Sequence, residues 1–216
     1  MIVIENLKHH GAPVSLEIGG VGVHGILFES EDTKAYWMSL LSGCEVPEEG
    51  QVLIERKGAF HPTAEQKKYI GYVPATLSLY EDMTVLETLN FFAEAKGVLP
   101  EKREKQIREA LDLMGLQEVS CRLVANLSAA NRRRVVMAQA VLGNPSLIVM
   151  DEPYVAADAE QKRDIEALLL MLGRHKPIII GDVCAEHLSI CGDVIVVTED
   201  GVPCSKTADK AEEDEA

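Results

Sequence analysis

Asp151 and Glu152 are the residues of this chain best placed to do chemistry. They stand side by side after Leu147-Ile148-Val149-Met150 and before Pro153. An unbroken apolar run of this kind marks a strand buried on both faces of a parallel sheet, and ligands in such sheets sit at the carboxyl ends of the strands. Two carboxylates at a strand tip can divide the work, the first holding a divalent cation and the second orienting a water. The histidines offer no competing centre. His9, His10, His24, His61, His175 and His187 show no metal-ligand spacing, and neighbours such as His9 and His10 diverge on a strand. The basic run Arg132-Arg133-Arg134 would suggest nucleic acid in isolation, but in a chain this acidic it reads as a solvated or interface face.

Composition narrows the partners. The chain has 216 residues, enough for one large domain or a core with an inserted subdomain, and 47% of them are hydrophobic. A net charge of −14 argues against nucleic-acid backbone and against an anionic lipid surface, both of which call for a basic face. The cysteines (Cys44, Cys121, Cys184, Cys191 and Cys204) are odd in number and contain no Cys-x-x-Cys pair. Without a signal-peptide pattern at Met1, they read as reduced thiols in a cytoplasmic protein. No apolar run approaches the roughly 20 residues of a membrane span, so no direct membrane insertion is expected.

The elements that must position the two carboxylates follow from periodicity. Strands are predicted over residues 1–7, 14–18 and 21–28, the last two separated by Gly19-Gly20. A helix over 34–41 stops at Gly43, and short strands follow over 51–54 and 69–73. Helical spacing covers 84–95, 100–114 and 131–142; in the second of these Ile107, Leu111 and Met114 share a face and Gly115 ends the element. After the strand at 147–150 come a helix over 159–172 and strands over 177–181 and 194–198. Strands and helices thus mix at both ends of the chain and the middle is all helical, which is an α/β core with a helical insertion. The division is 1–82 and 146–204 for the core, 83–145 for the helical subdomain, and 205–216 for an acidic tail expected to be disordered.

Several segments in order resemble the ATP-binding subunit of an ABC transporter. Gly50-Gln51-Val52-Leu53-Ile54 is similar to the family's strand after its first helix, and Ile70-Gly71-Tyr72-Val73-Pro74 to the approach to its glutamine loop. Leu79-Tyr80-Glu81-Asp82-Met83-Thr84-Val85-Leu86-Glu87-Thr88-Leu89 resembles the entry to the helical subdomain. Leu127-Ser128, Arg132-Arg133-Arg134 and Ala138-Gln139-Ala140 occupy the signature helix, and Asn144-Pro145 leads to the Asp-Glu-Pro strand. The resemblance implies a P-loop NTPase (RecA-like) core with an inserted helical subdomain and an N-terminal antiparallel β portion.

Position by position, the same resemblance implies a degenerate site. A phosphate-binding loop needs glycines so that bare N–H groups can wrap phosphates, then Lys and a Ser or Thr for Mg²⁺. The equivalent stretch, Phe28-Glu29-Ser30-Glu31-Asp32-Thr33-Lys34-Ala35, has no glycine; Lys34 is in place, but Ala35 lacks the hydroxyl. Glu29, Glu31 and Asp32 put carboxylates where a triphosphate would lie, and like charges about 4 Å apart repel by about 1 to 4 kcal/mol each. Ala75 stands at the glutamine of the glutamine loop, Ala129 and Ala130 at the glycines of the signature loop, and Asp182 at the switch histidine. His10 sits near the place of the adenine-stacking aromatic, in a segment shorter than the family norm.

What remains is Lys34 for phosphate, Ser128 for a partner's nucleotide in trans, Asp151 for the metal and Glu152 for the water. Against those roles, Lys34 reads as a first-turn lysine paired with nearby acids, and Asp151 and Glu152 as braces at a strand end. Asp158 reads as a hydrogen-bonding loop acid. Three functions follow from the resemblance. One is a pseudo-ATPase paired with a membrane permease, as a homodimer or with another ABC ATPase subunit, attached peripherally at the inner face of the membrane. The second is a divergent ATPase that binds ATP and Mg²⁺, and the third a soluble scaffold on the same fold.

Overall fold

The computed structural model of the chain describes residues 1–8, 11–155 and 157–205. Its centre is a parallel sheet whose strands alternate between two cores. The strands are β1 (Ile2–Leu7), β2 (Val14–Ile18), β3 (Gly22–Phe28), β4 (Gln51–Arg56), β5 (Ala59–Pro62), β6 (Ile70–Val73), β7 (Leu147–Asp151), β8 (Pro177–Asp182), β9 (Asp193–Val197) and β10 (Pro203–Ser205). They form a four-stranded antiparallel sheet in the order β2-β1-β4-β5 and a six-stranded sheet in the order β10-β9-β3-β8-β7-β6. In the larger sheet only β10 runs antiparallel, against β9.

Burial on both faces explains the continuous apolar strands. On β7, Leu147 and Val149 pack into a core with the antiparallel sheet and α1 (Glu31–Leu41). Ile148 and Met150 face the other way, toward α2 (Val85–Ala95), α3 (Pro100–Met114), α4 (Ala129–Val141) and α5 (Ala159–Gly173). The helices are delimited by local chemistry. Thr84 and Glu87 close α2 with a capping box, Pro100 opens α3, and Gly115 ends it at φ 62°. Gly71 allows α4 to lie on β6, since a Cβ there would meet the Ala140 carbonyl oxygen at 2.2 Å.

Some expectations change. The first helix begins at Glu31, three residues before the periodicity suggests, because Ser30 caps it. β5 was not expected; it is held by antiparallel pairing with β4 through Lys57 and Gly58, both at positive φ, a backbone turn that its weak alternation does not announce. Ser205, assigned to the tail, instead pairs with Ile195 as the end of β10. Residues 206–216 lie outside the described residues, as does His10.

Candidate nucleotide site

The site is built where β3, β7 and α1 meet. Phe28 ends β3 and Glu31 begins α1, so only Glu29 and Ser30 connect them. Ser30 is extended (φ −138°, ψ 150°), and its Oγ accepts the Thr33 amide at 3.2 Å while donating to Thr33 Oγ1 at 2.9 Å. Thr33 Oγ1 in turn donates to the Glu199 carbonyl at 3.0 Å, and the Glu29 carboxylate accepts the Glu199 amide at 3.3 Å. The connection between β3 and α1 is thus a short cap stitched to the turn between β9 and β10.

Lys34 is carried by the first turns of α1 into the sheet edge and is 3% exposed. Its ammonium is fully engaged by acids of this same chain. Nζ donates to Glu152 Oε1, pairs with Glu31 Oε2 at 2.6 Å, and lies 3.6 Å from Asp151 Oδ1. Glu152 reaches it from a backbone at φ 46°, in the left-handed region, while its amide donates to the Gly181 carbonyl at 3.0 Å. Asp151 Oδ1 is buried and has no hydrogen-bond partner among the described residues. Burial raises the Asp151 carboxyl above its ordinary range, with the Lys34 ammonium pulling the other way.

These residues do not make a fitting Mg²⁺–nucleotide site. An octahedral Mg²⁺ wants oxygen ligands and phosphates around it. The buried Asp151 Oδ1, which has no hydrogen-bond partner among the described residues, lies 3.6 Å from the Lys34 ammonium, Ala35 brings no hydroxyl, and Glu31 already pairs with Lys34. Ionised, the cluster of one ammonium and three carboxylates is net negative, which opposes any polyphosphate.

The other positions fall around this cluster. Ala75 follows β6, and the carbonyls of Pro74 and Ala75 accept Arg133 Nη1 and Nη2 at 3.1 and 3.2 Å. The sequence reads the three arginines as one solvated or interface face, but Arg133 is 6% exposed because α4 turns it inward against the end of β6; Arg132 and Arg134 do face outward and pair with Glu81 and Asp164. Ser128 caps α4, its Oγ accepting the Asn131 amide at 3.2 Å, with Ala129 and Ala130 next to it in the first turn. Asp32 and Ala35 are exposed on α1. Asp158 caps α5 in a capping box with Gln161.

Asp182 is buried at the tip of β8. Its Oδ1 accepts the Cys184 amide at 2.8 Å and its Oδ2 lies 2.8 Å from His187 Nδ1. His187, whose ring stands 5.5 Å from that of Tyr154, is the residue the sequence reading missed. Nothing in its spacing marks it; only the short turn Ala185–Leu188 brings it back over Asp182.

Residues 14–155 match the family model described as ABC transporter. The chain belongs to the ABC transporter family. Among relatives, it is 30% identical to ABC transporter A family member 1 of Dictyostelium discoideum over 189 residues, covering 88% of this chain and 22% of that one. It is 26% identical to the sulfate/thiosulfate import ATP-binding protein CysA of Synechocystis sp., covering 91% of this chain and 56% of CysA. With the probable multidrug ABC transporter ATP-binding protein YbhF of Escherichia coli it shares 27% identity, over 87% of this chain and 33% of YbhF. The chain therefore spans between about a fifth and just over half the length of these relatives. The dimeric structure of MJ0796, a bacterial ABC transporter cassette, superposes with a TM-score of 0.80 over 94% of this chain and 96% of that one, at 22% identity. The fold is that of the ABC cassette, a P-loop NTPase core with antiparallel β and helical parts.

Proposed function

We propose that this chain is a catalytically degenerate ATP-binding subunit of an ABC transporter, a pseudo-ATPase that keeps the cassette fold without hydrolysis. The observation that carries the reading is the saturation of Lys34. The lysine that would meet phosphate is buried against Glu31, Glu152 and Asp151, and the loop before it is reduced to a serine cap. Glu152 and Asp151 then act as braces of the strand tip rather than as base and metal ligand. Such a subunit works through its surfaces, with residues 1–82 and 146–204 as the core and 83–145 as the helical subdomain.

A membrane permease is the partner this reading calls for. Shape, not catalysis, makes a docking groove, and the reading is supported by a groove of about 320 Å³ between β6 and the helices, lined by Ile70, Tyr72, Pro74, Leu79, Phe92 and Lys96. Tyr80 and Phe91 stand edge to face at 5.4 Å beside it, 51% and 43% exposed. Among the described residues no helix is long and apolar enough to cross a membrane. In this reading the chain attaches through that partner, at the membrane's inner face. The same chain pairs with itself or with a competent subunit, and in either pairing it disables both nucleotide positions it touches. Glu31 blocks its own, and the methyls of Ala129 and Ala130 stand where backbone would have to approach the partner's.

Calorimetric titration with Mg²⁺-ATP at low and physiological salt tests this. No saturable heat is expected at about 1 mM nucleotide. Micromolar binding, with Glu152→Gln abolishing turnover and trapping ATP, would overturn it in favour of a divergent ATPase.

A further inference from the structure

Three of the positions that depart from the family pattern have a constructive consequence. Ala75, Ala129 and Ala130, which stand at the glutamine-loop and signature positions, line one concave pocket together with Leu77, Val155 and Ile165. Its volume is about 170 Å³, close to that of the cavity of roughly 150 Å³ that accommodates a benzene ring. Pockets of this build, apolar walls with a few placed polar groups, are the usual form of small-molecule sites.

Three polar residues line it, Arg133, Arg134 and Gln161, and Arg133 is the buried one, at 6% exposure. Among the described residues its guanidinium donates to the neutral carbonyls of Pro74 and Ala75. Its neighbours Arg132 and Arg134 each have a carboxylate, but none of the ion pairs among the described residues includes Arg133. The field of Asp151 reaches it without contact. A buried cation bonded only to neutral groups is costly unless a counter-ion joins it. A second observation points the same way. The first turn of α4 opens at Ala129 and Ala130, and Ser128 Oγ takes only the Asn131 amide, so the partial positive charge of the helix N-terminus also faces the pocket.

We propose that this pocket binds a small organic carboxylate with a compact apolar body, about the size of benzoate. The body lies against the alanine methyls and the carboxylate on Arg133. Such a site makes the retired cassette a ligand-responsive one, reading a metabolite acid where its relatives read nucleotide. The site is independent of whether Lys34 retains any nucleotide.

Titration of the full chain with sodium benzoate tests the assignment, read as saturable amide shifts by NMR and as a rise in thermal midpoint, with benzamide as the uncharged isostere. The shifts are expected at Ala75, Ala129 and Ala130, with benzamide weaker by about tenfold or more, since it cannot pair with the guanidinium. Ala130→Leu, at a half-exposed position, fills the pocket and is expected to remove the response, and Arg133→Gln is expected to erase the preference for benzoate over benzamide. Absence of a saturable benzoate response overturns the proposal. So does equal binding of benzamide, or a benzoate response that survives in Ala130→Leu.

Discussion

The helices α1 and α4 begin alike and end up chemically opposite. Each is capped by a serine, Ser30 or Ser128, whose Oγ accepts the amide three residues on at 3.2 Å. Each then carries a basic residue inward, Lys34 or Arg133, to 3% and 6% exposure. Lys34 meets Glu31, Glu152 and Asp151, while Arg133 meets the carbonyls of Pro74 and Ala75. The local capping chemistry is the same, so the difference lies in what the distant strand delivers. The tip of β7 supplies carboxylates to α1 and closes that end; the end of β6 supplies neutral carbonyls to α4 and leaves its charge open. The two helix starts therefore differ in one molecule, one filled by the chain's own acids and the other bordered by alanine methyls.

Removing Lys34 should break the closed end most severely. Lys34→Ala leaves Asp151 and Glu152 facing each other, partly buried and without a counter-charge, which costs about 3 to 5 kcal/mol when a buried pair loses one partner. Urea denaturation reads this directly. A loss below about 1 kcal/mol would mean the ammonium is only loosely held, as a lysine waiting for phosphate would be.

The sequence made the framework legible and the site only half so. Apolar runs such as Leu147–Met150 and the periodicity of α3 reflect burial on a sheet or a helix face, which composition alone announces. The acidic character of the loop before Lys34 was equally plain. That Lys34 is saturated, however, depends on Glu152 arriving from a left-handed backbone more than a hundred residues away, and no local pattern encodes it. Arg133 misled for the same reason. Within a run of three arginines all look alike, and only the angle at which α4 crosses β6, allowed by Gly71, turns one of them inward. Asp182 stands in the sequence at the switch-histidine position, whereas in the fold its carboxylate is engaged by His187 and the Cys184 amide, a pairing set by a short turn.

The open end should lose less than the closed one. Arg133→Met keeps the bulk of the side chain but leaves the carbonyls of Pro74 and Ala75 without donors, a cost of about 1 to 3 kcal/mol for buried acceptors. Part of that is returned because an unpaired buried cation goes with it. If Arg133→Met proves as damaging as Lys34→Ala in the same urea series, the two ends are equally dependent on their cations and the contrast between them fails.

The smallest effect is a pH dependence confined to the closed end. Burial raises the Asp151 carboxyl, so the folded chain holds a proton there at a pH where the unfolded chain has released it. Stability from this group is therefore greatest below the ordinary aspartate value of about 4 and falls as pH rises toward the folded value. Asp151→Asn removes the titration while keeping the shape, so its stability relative to the parent should climb across that window and then level off. A constant difference across the window would mean that Asp151 ionises normally beside Lys34. The cluster would then be a matched ion network, held by attraction alone. A slope of the expected sign would instead mean that one acid more than the lysine can neutralise has been buried at this strand tip, an excess of negative charge that would oppose a polyphosphate there.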